Sequence, residues 1–164
     1  MLRTLLMAAL AAMGLAAMGL AATAQAGPGA ELAEFAERLG AQAEARSQAA
    51  AQRPAAPARP LDIEDPFAFE LEQFSVEALM LSRQIDAAGG PVDLRCIFRG
   101  MSADAGARME ALNDAETAAQ QAHIYAGLAD LMRDASEIAP AVDSDADLSG
   151  VELPASCPAA EARH

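Results

Sequence analysis

The sequence predicts an all-α protein, a small helical hairpin or three-helix arrangement with an extended C-terminal tail tied back by one disulfide. Three observations carry this expectation. Apolar residues recur at steps of three and four through three long stretches, as on a helix face turned to a core. Proline and glycine clusters separate those stretches. Two cysteines, Cys96 and Cys157, flank the third stretch behind an export leader.

The leader occupies residues 1–26. Met1-Leu2-Arg3 is a short positive start, Leu5 to Leu20 is an unbroken run of Leu, Met, Ala and Gly, and Ala24-Gln25-Ala26 sets small residues before a cut. The apolar run approaches the roughly 20 residues that a membrane span requires. Its Ala and Gly content and the lack of a following positive cluster favour cleavage after Ala26 over anchoring. A periplasmic or secreted location follows. Cleavage also removes Arg3, the only charge in the leader, and so makes an already acidic chain more acidic. The full sequence has 24 acidic side chains against 11 arginines, no lysine, and a formal net charge of −13. Nucleic acid and anionic membrane surfaces attract positive charge, so neither is an expected partner.

The first helix is expected at about Ala30 to Ala50, within an N-terminal segment 27–50. Leu32, Phe35, Ala36, Leu39 and Ala43 form its apolar stripe. Residues 51–64 belong to an Ala/Pro-rich stretch that cannot sustain a helix and reads as a semi-stiff linker, leaving the first helix loosely attached. A helical domain is expected over 65–164.

The second helix opens with Asp65 as N-cap and Pro66 in the first turn. Phe67, Leu71, Phe74, Ala78, Leu81 and Ile85 follow in a heptad rhythm, and Gly89-Gly90-Pro91 ends it. This seam must bury against another helix, either inside the chain or on a partner. Val92 to Gly100 alternates apolar and polar residues and reads as an extended connector, since a lone strand has no partner to pair with.

The third helical region runs from Ser102 to about Ile138, with weak points at Gly106 and Asn113-Asp114, and Pro140 beyond its end. Unbroken, it is about 55 Å long. A tail from Ala139 to Ser156 spans roughly 60 Å fully extended, so a Cys96–Cys157 bridge demands a nearly straight tail or a broken helix. The expectation is a broken helix with the tail strapped along it. The bridge closes a loop of about 60 residues, worth on the order of 4 kcal/mol. It suits a core poor in large side chains, with five Phe, one Tyr and no Trp. An intermolecular bridge and free thiols are the competing readings.

Only one stretch resembles a chemical motif. Asp143, Asp145, Asp147 and Ser149 concentrate oxygen donors ahead of Gly150, a weak calcium candidate. Counted from Asp145, the twelfth position is Ser156, where a calcium loop needs a bidentate Glu. Catalytic motifs are missing. The sequence has no Gly-x-Ser-x-Gly elbow, phosphate loop or Cys-x-x-Cys pair, and His123 is the sole internal histidine. Arg95 and Arg99 flank Cys96 and read as surface ion pairs before they read as an anion site. The expected function is therefore non-catalytic. It is protein–protein contact or self-association through Phe67, Leu71, Phe74, Ala78, Leu81 and Ile85 of an exported helical protein. The alternative is a periplasmic small-ligand or weak calcium-binding helical protein, with no other cofactor expected.

Overall fold

The computed structural model describes residues 26–62 and 64–144. Four helices run through them: α1 (Pro28–Ala51), α2 (Pro66–Ala87), α3 (Val92–Asp114) and α4 (Ala118–Ile138), followed by a 3-10 turn, Ala139–Asp143. The described residues form an all-helical structure, with four helices rather than three and no strand among them.

The fourth helix arises at both weak points of the sequence reading. Val92 to Gly100 is helical, not an extended connector. Apparent alternation over so few residues also fits a helix, and the burial follows helical spacing: Phe98, Met101, Ser102 and Ala105 are buried on one side of α3. The long third helix is indeed broken, at Ala115–Thr117. Ala115 leaves the helical backbone region, and Thr117 restarts it with a capping box. The Thr117 hydroxyl accepts from the Gln120 amide at 3.3 Å while Gln120 Oε1 accepts from the Thr117 amide at 3.1 Å.

Successive helices are antiparallel and form an up-down-up-down bundle. α1 packs chiefly on α4 and α2 on α3, while α1–α2 and α3–α4 contacts join the two pairs. Small residues let α1 and α4 approach. Ala36 and Ala43 are fully buried, and a Cβ on Gly40 would lie 3.1 Å from Met132 Cβ. The six seam residues of α2, Phe67, Leu71, Phe74, Ala78, Leu81 and Ile85, all lie in the intramolecular core. They pack there with Phe35, Leu39, Phe98, Leu128 and Met132. Two hydroxyls staple the α2–α3 hairpin: Ser82 donates to the Arg95 carbonyl and Ser75 to the Ser102 carbonyl, each at 2.9 Å. Gly89, at φ +68, makes the turn between them.

The segment read as a linker lies across one end of the bundle. Ala58 donates to the Glu116 carbonyl and Ala118 to the Ala56 carbonyl, both at 2.9 Å, around an isolated bridge between Pro57 and Thr117. Beneath it, the buried Gln121 accepts from the Arg59 amide at 3.0 Å and donates to the Arg59 carbonyl. At the opposite end, Asp143 reaches back to cap α1. Its two carboxylate oxygens accept from the amides of Gly29 at 3.0 Å and Ala30 at 2.7 Å. No helix among the described residues is long and apolar enough to cross a membrane.

Candidate functional site

Two places on this bundle offer chemistry to another molecule. The first is the outer face of α2. Counting outward from the buried seam, Phe69, Gln73, Val76, Met80, Arg83 and Ala87 repeat its rhythm two residues on, which places them on the opposite side of the helix. Phe69 is 67% exposed, and Val76 and Met80 are each 51% exposed. The fourth large exposed apolar side chain among the described residues, Ile97, belongs to α3. The Ser75 and Ser82 bonds set the hairpin register, so Met80 and Ile97 stand at the same height along it. Leu79 lies on the α3 side of the stripe with Ser75 and Ser82, and is half-buried. Exposed Glu72 and half-buried Glu77 flank the stripe, and Arg83 stands near its far end.

The second place is a cleft of about 730 Å³ between the end of α1, the 52–65 connection and the start of α4. Arg46, Arg53 and Arg59 line it, with Tyr125 and Gln121 from α4. Arg46 pairs with Asp65 at 2.7 Å and lies over the Phe67 ring, 4.6 Å from its centroid. Phe67 meets the Tyr125 ring edge-on at 5.7 Å. Burial pushes the Tyr125 phenol above its ordinary value, against the opposing pull of the nearby Arg46 cation. Arg53 and Arg59 are exposed, and their guanidinium groups have no hydrogen-bond or ion-pair partner among the described residues. Sequence reasoning missed this cluster. The available signal was three arginines at near-even spacing, 46, 53 and 59, in a chain dominated by acids.

The sequence candidates fare unevenly. The α2 seam is buried against the chain's own helices, so its residues are closed to a partner in the folded bundle. Asp143 is engaged in capping α1, while Asp145, Asp147 and Ser149 lie outside the described residues. No group of three or more metal-binding side chains occurs among the described residues. Cys96 is half-buried in the second turn of α3, and Cys157 lies outside the described residues. His123 is exposed on α4, and Arg95 is paired with Asp86. No family model, curated protein or solved structure matches the chain.

Proposed function

We propose that the chain is exported, loses its leader after Ala26, and works in the periplasm as a non-catalytic contact protein. It offers the outer stripe of α2 to a protein partner. The observation that carries this reading is the exposure of Phe69 together with Val76 and Met80 on one stripe. The chain has only five Phe and its other four are buried. Full burial of such side chains is worth about 1.5–3 kcal/mol each. Scattered apolar residues on a surface need no explanation, but a periodic row on one helix marks a contact face.

The size and charge of the face define the partner. A standard interface takes about 800 Å² from each side, more than three side chains supply, so the contact extends across Leu79 towards Ile97. Glu72 and Glu77 beside the stripe, on a chain of net charge −13, disfavour a second copy of this chain. They favour a partner with an apolar strip bordered by basic residues.

Export is supported by the layout of the leader: a short positive start, an apolar run and small residues before the cut. A Cys96–Cys157 bridge fits the bundle better than it fits one long helix. Because α4 folds back on α3, Ser144 and Leu94 line the same small cavity at one end of the molecule. Residues 145–156 reach about 40 Å when extended, so the tail need not run straight. No free cysteine occurs among the described residues.

The test compares the wild-type protein with the triple variant Phe69→Ser, Val76→Ser, Met80→Ser in proximity capture from intact periplasm. The variant is expected to keep its melting behaviour, because the replaced side chains point to solvent, and to lose the neighbours that the wild type captures. An identical set of neighbours from both proteins would overturn the reading. N-terminal sequencing of the periplasmic form is expected to begin at Gly27.

A further inference from the structure

We propose that the cleft between α1, the 52–65 connection and α4 binds a small organic monoanion, a carboxylate with an apolar body. The volume, about 730 Å³, lies within the range of small-molecule sites. The charge is unusual for this chain. Three of its arginines line one cleft, against two acids, Asp62 and Asp65. One of those acids is already paired, Asp65 with Arg46. Arg53 and Arg59 therefore carry unpaired positive charge at a cleft whose other acid is Asp62, a balance that suits a single negative charge and not several. A guanidinium binds a carboxylate through two parallel N–H donors, which gives direction as well as attraction.

The rest of the lining excludes a bare inorganic ion as the preferred occupant. Ala49, Ala50, Pro57, Pro60, Leu61 and Ala118 form apolar walls, with the edge of Tyr125 among them. Gln121 cannot serve as a further polar contact without disrupting the fold. Its amide is engaged by the Arg59 backbone and by the Leu112 carbonyl. The lining thus combines two unpaired guanidinium groups with apolar side chains that suit the body of an organic anion. Arg53 and Arg59 belong to a stretch that hydrogen bonds of Ala56, Ala58 and Arg59 tie to residues 116–121, so it acts as a strap carrying the anion-binding side chains.

The purified full-length protein can be titrated with sodium octanoate as the probe, with octanamide as its neutral counterpart. Heat of binding and the fluorescence of Tyr125, the sole tyrosine in a chain without tryptophan, report the event. Octanoate is expected to bind saturably at one site and to change the tyrosine signal, and octanamide to bind about tenfold more weakly or worse. The double variant Arg53→Gln, Arg59→Gln is expected to lose octanoate binding by a similar factor and keep the wild-type melting temperature. Equal binding of octanamide, unchanged binding in the double variant, or displacement of octanoate by an equal concentration of inorganic phosphate would each overturn the proposal. So would the absence of saturable octanoate binding.

Discussion

Single side chains at the two ends of the bundle have separable roles. Asp143 joins the end of the described chain to the start of α1 by accepting two of its first free amides. Replacing such a cap with alanine typically costs about 1 kcal/mol. Asp143→Ala is expected to lower the urea midpoint accordingly with an unchanged slope. At the other end, Tyr125 permits a direct titration because it is the only tyrosine. Its phenol is raised by burial. An acid raised in the folded state contributes stability that is intact below the unfolded value, about 10, and declines as pH rises from there through the folded value. The ultraviolet phenolate transition is therefore expected above its value in concentrated urea. Tyr125→Phe should also remove part of the alkaline loss of stability. A phenol titrating at the same pH in both states would contradict this account of the α4 packing. Neither residue role was legible in the sequence. Asp143 lies 114 positions from its first partner, and such long-range capping has no local signature.

The individual helices show where sequence patterns suffice and where they mislead. α2 was readable in full because its Asp65 cap, early proline, six-residue seam and glycine stop all agree, and the Asp65 carboxylate does accept the Phe67 amide at 3.0 Å. α3 was misread at its start because nine residues of alternation are too few to separate a strand from a helix face. Its interior glycines also weakened the helical signal. The structure shows that those glycines face open space: a Cβ on Gly100 meets nothing within 4 Å. Gly100→Ala is therefore expected to stabilise the protein by about 0.5–1 kcal/mol, read in thermal or urea unfolding. The break before α4 did have a signature, Thr117-Ala118-Ala119-Gln120, the spacing of a capping box. Thr117→Ala should cost about 1 kcal/mol in thermal or urea unfolding, and Gln120→Ala should also destabilise, since it removes the return bonds to the Thr117 and Glu116 amides.

At the scale of the whole molecule, the missing information was the return of α4 alongside α1. Sequence periodicity shows which face of a helix is apolar but not which helix covers it. The α2 seam could equally have faced a partner until α1, α3 and α4 were seen to enclose it. That closure moves the proposed contact face to the Phe69–Val76–Met80 stripe. It also brings the end of α4 close to the start of α3, which eases the proposed Cys96–Cys157 bridge. If that bridge forms, reduction should lower the melting temperature substantially, since a loop of this length contributes on the order of 4 kcal/mol. Non-reducing peptide mapping should recover the two cysteine peptides joined. The central claim, a contact face on the outside of α2, is tested most directly by placing a photo-cross-linking residue at position 76 in living cells. The same residue goes at exposed Asp130 on α4 as the control. The account predicts a discrete adduct from position 76 and none from position 130. No adduct from position 76, or the same adduct from both positions, would contradict it.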